Sequence, residues 1–316
     1  MPWLSLPSLP DAMEFWTVIS LIVYGAIILL GLPSNALALY VFYYRAKAHL
    51  TPNLIYMINL CFSDLVFILF LPLKMLDLGK VGRTMPEFLC ALYNLIHFGT
   101  IYASICFLTA VSVGRFLGAV YPIQYQVYKK PCYSCLVSLA IWCLVGFHGI
   151  LIFVLENTGS ISLRLFASNG SSCYSNLTQA QLALLAPVRL ELSMVLFFLP
   201  LTITLFCYVA CIRVLVGSHL QVRKKHRAVR VAAATLSVFV LCFGPYNISH
   251  VVGFIKMEDV WWRSITLLLS ACNAFLDPLV FYFLSTAMDD GLAKVWGSLK
   301  VKCSSIQLKI ASSHRK

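Results

Sequence analysis

Charge is what this sequence lacks most. Only 11% of its 316 residues are Asp, Glu, Lys or Arg, against roughly 25% in soluble domains. A water-facing surface cannot be covered at that density, so an ordinary soluble fold is excluded. Acidic residues are the scarcer sign, 12 against 24 Lys and Arg, which leaves a formal net charge of +12. Lys and Arg are absent from Met1 to Trp16, and with them the basic n-region of a cleavable signal peptide. The first apolar segment is therefore expected to serve as a signal anchor. The chain also has no HExxH pair, no nucleophile elbow and no phosphate-cradling glycine loop. No enzyme activity is expected. A secondary transporter is the alternative of a different class, but the inverted repeats with broken half-helices that many transporters carry are missing.

What the chain does have is apolar length. It is 60% hydrophobic, with a mean hydropathy of +0.85. Seven apolar segments lie at about 15–43, 53–76, 88–115, 133–156, 185–214, 229–255 and 264–285. Each reaches the ~20 residues that cross a bilayer. All are expected to be helices, because lipid offers no partners to free backbone groups. The predicted fold is all-α, a seven-transmembrane bundle over 15–285, with an N-terminus at 1–14 and an inner tail at 286–316. An amphipathic stretch at about 287–300 is expected to lie along the inner surface.

Connector charges orient the bundle. One set of connectors, with the tail, holds seventeen Lys and Arg, including Arg45, Lys47, Arg115, Lys129, Lys130 and the run Arg223 to Arg230. The other set holds seven. The richer set faces the cytoplasm, which puts the N-terminus outside and the tail inside. The surplus is thus a topology signal. It forms no stripe on a soluble domain, so nucleic acid is not an expected partner. The expected location is the plasma membrane.

Most of the 12 cysteines, such as Cys106, Cys207 and Cys242, lie inside apolar runs and read as small packing residues. Cys90 and Cys173 fall at a helix top and in a loop on the outer side, where an oxidising exterior would pair them. The sequons at Asn169 and Asn176 fall in the outer 157–184 loop and are candidate glycosylation sites. A third, at Asn247, lies within a span and is discounted. Cys303 follows the inner amphipathic stretch, where palmitoylation or a free thiol are both open.

Ionisable groups inside spans are costly and mark function. Asp64 and Asp277, with Asn35, Ser104 and Asn273 as polar neighbours, suit a sodium ion with water, or else interhelical hydrogen bonding. No other cofactor is expected.

The ordered motifs resemble those of rhodopsin-type receptors: Gly31-Leu-Pro-Ser-Asn35, Ser63-Asp64-Leu65, Val113-Gly114-Arg115, Trp142, Cys242-Phe-Gly-Pro245 and Asp277-Pro-Leu-Val-Phe281. Three positions depart from that pattern. Gly114 replaces the usual acidic neighbour of Arg115, Phe243 stands where Trp is common, and Phe281 where Tyr is common. Further strings resemble the free fatty acid receptors, with a mixture of short-chain and long-chain features. They include Leu71-Pro-Leu-Lys74, Arg115-Phe-Leu-Gly118, Pro187-Val-Arg-Leu-Glu191, Gly244-Pro-Tyr-Asn247 and Trp262-Arg263. That resemblance implies a receptor for fatty acids or other small carboxylates. It also implies coupling to a heterotrimeric G protein, of Gq and/or Gi type, and an arrestin partner. Another small anion or a peptide is the alternative ligand.

Arg189 and Arg263 both face the outer half of the bundle. Two rigid guanidinium forks near one cavity suit a planar carboxylate. Phe243, Tyr246 and His250 recur at i, i+3 and i+7, so they share a helix face. The resemblance implies that this face looks into the pocket, and that Tyr102 and His148 belong to the site. Glu191 or Glu156 is expected to pair with an arginine in the empty receptor. His250 and the helix 5 run lean toward short chains. Pro245 bends helix 6, and Arg115 is expected to meet the G protein. The bare Gly114 predicts some ligand-free signalling, which an aspartate at that position should reduce. Juxtamembrane basic residues are expected to attract membrane lipids.

Overall fold

The computed structural model describes residues 9–78, 87–163, 179–217 and 222–284. The first two crossings are α1 (Leu9–Ala48) and α2 (Pro52–Leu78). The third is α3 (Glu87–Val120), followed by the short α4 (Pro122–Tyr128). The fourth is α5 (Pro131–Leu163). The fifth combines α6 (Gln179–Ser193), a wide π turn at Met194–Phe198 and α7 (Leu199–Gly217). The sixth combines α8 (Val222–Ser237), a second π turn at Val238–Phe243 and α9 (Gly244–Lys256). The seventh is α10 (Arg263–Ala271) and α11 (Asn273–Leu284), interrupted at Cys272. Among the described residues, six of these are continuous helical stretches long and apolar enough to cross a membrane. The seventh falls short of that measure because it is split. α1 starts at Leu9, earlier than the apolar run alone suggests.

Both π turns end two residues before a proline, Pro200 in one case and Pro245 in the other. Proline lacks the N–H that would close the preceding α turn. The backbone widens there instead. The two wide turns face each other through Phe197, Phe239 and Phe243. The Phe197–Phe239 ring centroids are 6.5 Å apart and the Phe239–Phe243 centroids 6.0 Å apart.

The core runs along α3, which packs on α2, α5 and α7. Phe42, Leu60, Ile105, Phe107, Leu108 and Phe243 are fully buried in it. A second cluster, around Tyr24, Ile27, Phe67 and Leu71, joins α1 and α2 to the seventh crossing. The Trp142 indole N–H donates to Asn59 Oδ1 at 2.9 Å and fastens α5 to α2. The outer surface carries large exposed apolar side chains such as Ile22, Leu29, Leu69, Phe147 and Leu241. That inversion is stable only against lipid.

Candidate ligand site and switch

The outer half of the bundle gathers polar side chains from five helices. Arg189 comes from α6 and Arg263 from the first residue of α10, with side chains only 16% and 12% exposed. Asp259, in the 257–262 connector, joins them. Its Oδ1 accepts a hydrogen bond from Arg263 Nη1 and lies 3.9 Å from Arg189 Nη1. One carboxylate oxygen therefore reaches both guanidiniums.

Local backbone explains how the connector gets there. α9 ends where Met257 takes the left-handed conformation, with φ 52°. The Met257 and Glu258 N–H groups both close on Gly253 O, which turns the chain back over the bundle. Gly253 also makes room for the arginine. A Cβ there would lie 2.6 Å from Arg263 Nη2 and 3.2 Å from Glu258 O. Arg263 is further held by Ser249, its Nε donating to Oγ at 3.4 Å and its Nη2 to the carbonyl at 3.3 Å.

Below the arginines, Tyr246 and His250 stack edge to face with centroids 4.5 Å apart. Phe98 lies parallel to Tyr246 at 6.2 Å. Phe243, Tyr246 and His250 are all buried, as one face of a helix requires. His250 lies within the field of both arginines, and its Nδ1 is buried without a hydrogen-bond partner among the described residues. Tyr102 donates to Asn247 Oδ1 at 3.3 Å. Ser193 lies 3.1 Å from the same oxygen. Asn247 is fully buried and ties α3, α6 and α9 together beneath the arginines.

Of the two acids expected to pair with an arginine, Glu191 is turned to α5 instead. His148 takes Glu191, with Nε2 3.3 Å from Oε1, and its Nδ1 lies 2.8 Å from Leu144 O. Glu191 thus ties α5 to α6, and among the described residues Asp259 meets both Arg189 and Arg263. The side chain of Glu156 lies outside the described residues, as do the side chain of Cys90 and the residues Cys173, Asn169, Asn176 and Cys303. The inner stretch at 287–300 lies outside them as well. His97, one helix face away, pairs with Tyr93 at 2.7 Å and packs against Phe67.

Deeper in the bundle, Asp64 and Asp277 are fully buried. Asp64 Oδ2, both Asp277 oxygens, Asn35 Oδ1 and Ser104 Oγ have no hydrogen-bond partner among the described residues. Asn35 Nδ2 donates to Ala274 O at 2.6 Å and fixes α1 to the seventh crossing. Orphaned buried carboxylate oxygens call for a cation or water, so this donor set fits a monovalent ion with water.

A model for the 7 transmembrane receptor (rhodopsin family) matches residues 34–281. The chain belongs to this receptor family. Free fatty acid receptor 3 of Mus musculus is 39% identical over 291 residues, covering 92% of this chain and 90% of the relative. G-protein coupled receptor 42 of Homo sapiens is 40% identical, covering 95% and 88%. Free fatty acid receptor 1 of Macaca fascicularis is 41% identical, covering 84% and 91%. The receptor is a multi-pass plasma-membrane protein and has no enzymatic role.

At the inner end of the receptor, Arg115 is half-buried on α3. Next to it the bare Gly114 is filled from α2, since a Cβ there would lie 2.3 Å from Asn53 Oδ1. The position left vacant by an acidic residue is therefore occupied by an amide of the neighbouring helix. Tyr208 donates to Thr235 Oγ1 at 3.0 Å, linking α7 to α8. Thr204 donates to Thr109 at 3.1 Å, linking α7 to α3.

Sequence reasoning missed Asp259, Gly253, Ser249, Ser193 and Asn53. Asp259 was findable, as an acid four residues before Arg263. Nothing in the sequence marks the others.

Proposed function

We propose that the receptor responds to free fatty acids and holds their carboxylate between Arg189 and Arg263. The observation that carries this reading is the Asp259 carboxylate, whose single Oδ1 reaches both guanidiniums. A ligand carboxylate entering from outside would take that place. Tyr246 and His250 stand within reach as hydrogen-bond donors, and the Phe98–Tyr246 stack supplies an apolar wall for the chain. Tyr102 and His148 act through Asn247 and Glu191, holding α6, which carries Arg189, and α9, whose Ser249 accepts from Arg263. The names of the relatives agree with a fatty acid ligand. The lean toward short chains rests on His250 and the helix 5 run.

Binding shifts an equilibrium only through contacts that differ between the two states. Tyr246 adjoins Pro245 and the π turn below it, so pocket contacts can bias the hinge of the sixth crossing. Its inner half would then swing away from Arg115 and open a cavity for a heterotrimeric G protein of the Gq or Gi type, and later for arrestin. A sodium ion held by Asp64 and Asp277 with Asn35, Ser104 and Asn273 would favour the closed bundle.

Arg189→Ala and Arg263→Ala are each expected to abolish responses to carboxylates from acetate to long-chain acids at unchanged surface expression. Calcium and cyclic-nucleotide reporters read the response. A normal response in both variants would defeat the site assignment. A response of the wild type to matched neutral analogues alone would defeat the ligand class.

A further inference from the structure

Cysteines of this bundle fall into two groups. Cys61, Cys207, Cys211 and Cys242 are buried, whereas Cys132, Cys135 and Cys143 are exposed, and all three exposed thiols belong to α5. The core side of α5 is marked by its buried residues Ser134, Ser138, Val145 and His148. At 3.6 residues per turn, Cys132, Leu139, Cys143 and Ile150 point away from that side, and Cys135 lies about 60° around the helix from Cys132. Cys132 and Cys135 are therefore a pair of nucleophiles less than one turn apart on the lipid-facing surface. An exposed thiol adds nothing to interhelical packing, the role that the buried cysteines fill.

Depth separates the three. Pro131 opens α5 at the inner end of the bundle, straight after Lys129 and Lys130, which are both exposed. Lysines in a short connector mark the cytoplasmic headgroup zone. Cys132 and Cys135 thus sit at the cytosolic edge of the hydrocarbon layer. Cys143 is about 16 Å of helix further along, near the middle of a layer ~30 Å thick. Beyond the pair, Leu136 and Leu139 are exposed on the same side. A hydrocarbon chain that starts at either sulfur would run into the leaflet along these aliphatic side chains. Two thiols at the cytosolic edge, with an apolar track leading away from them into lipid, suit a fatty acyl group.

We propose that Cys132 and Cys135 form an S-acylation site for a long-chain fatty acyl group. The donor is a cytosolic acyl thioester, acyl-coenzyme A. The cysteine thiol gives up its proton, and the thiolate sulfur attacks the acyl carbonyl. A C–S bond to the receptor forms as the C–S bond to coenzyme A breaks, and the coenzyme leaves as its thiol with the proton. No electrons are gained or lost, so no oxidant takes part. The chain holds the start of α5 to the inner leaflet, beside α4, which packs on α3. Cys143 shares the outward face but lies too deep to meet a cytosolic donor. The site is independent of the outer arginines and of any ligand that they hold.

The test uses full-length receptor from mammalian cells carrying Cys303→Ser, which removes the cysteine of the cytoplasmic tail. Free thiols are blocked under denaturing conditions, thioesters are cleaved with neutral hydroxylamine, and the released thiols are tagged with a maleimide polymer that retards the band on a gel. A hydroxylamine-dependent shift is expected. It should be lost when Cys132→Ser and Cys135→Ser are combined and unchanged in Cys143→Ser. Surface expression checks that each variant folds. Mass spectrometry of the receptor with α5 unaltered reads the same site without those variants, as a fatty acyl mass on residues 131–139. Absence of the shift from the Cys303→Ser receptor would overturn the proposal. So would a shift that survives the double variant, or one that disappears with Cys143→Ser. Thiols released by dithiothreitol and not by hydroxylamine would mark a disulfide, which would overturn it too.

Discussion

Asp259→Asn removes one negative charge from between two guanidiniums and leaves the side-chain shape nearly unchanged. In the unliganded receptor, Arg263 donates to Asp259 and Arg189 lies 3.9 Å from the same oxygen. The gross Coulomb attraction at ~4 Å and an effective dielectric of 20 is about 4 kcal/mol. Asp259 is 50% exposed, so water screens most of that. Exposed pairs measure about 0.2 to 1 kcal/mol. With two largely buried partners the upper end applies, about 1 kcal/mol in favour of the closed arrangement. The closed form then outnumbers the open one about fivefold, and a ligand carboxylate that needs the open arms binds about sixfold more weakly than its intrinsic affinity. Asp259→Asn should recover that factor. The measurement is displacement binding by a series of fatty acids and their methyl esters. Carboxylates are expected to gain about sixfold and esters nothing, while Asp259→Glu behaves as wild type. Unchanged carboxylate affinity would refute the competition. Reduced affinity would show instead that Asp259 positions the arginines for the ligand.

Gly253→Ala puts a methyl group 2.6 Å from Arg263 Nη2. It should weaken carboxylate binding severalfold, although alanine favours the helix by about 1 kcal/mol; lower affinity with undiminished thermal stability is the signature to look for. Gly114→Asp alone should lower surface expression, because its Cβ would sit 2.3 Å from Asn53 Oδ1. Combined with Asn53→Ala it should express normally and signal less without ligand in a basal reporter assay; an unchanged baseline in the double variant would count against a role for the missing acid. Replacing sodium by choline should shift agonist affinity in wild type and leave Asp64→Asn unmoved, and a shift of equal size in the variant would exclude the ion.

The residues that sequence reasoning placed well share a physical property. Seven apolar runs, the excess of Lys and Arg on one side, and carboxylates at membrane depth are each expensive to arrange otherwise, so each carries its meaning locally. The i, i+3, i+7 spacing of Phe243, Tyr246 and His250 is likewise a helix property, and all three side chains are buried together. Acid–base pairing was harder to read. Glu191 is only two residues from Arg189, yet on a helix such residues point apart. It turns to His148 on α5 instead.

The sequence by itself therefore determined the solvent, the class and the topology, and it supplied the residue types of the proposed site, because burial in lipid penalises every polar group that lacks a reason to be there. The tertiary structure alone decided which groups meet. The left-handed Met257 swings Asp259 over the arginines, Gly253 leaves the gap that Arg263 fills, and Asn53 from α2 occupies the place beside Arg115. Each of these depends on the approach of segments distant in the chain or on one backbone turn, and no local pattern of residues encodes such distances.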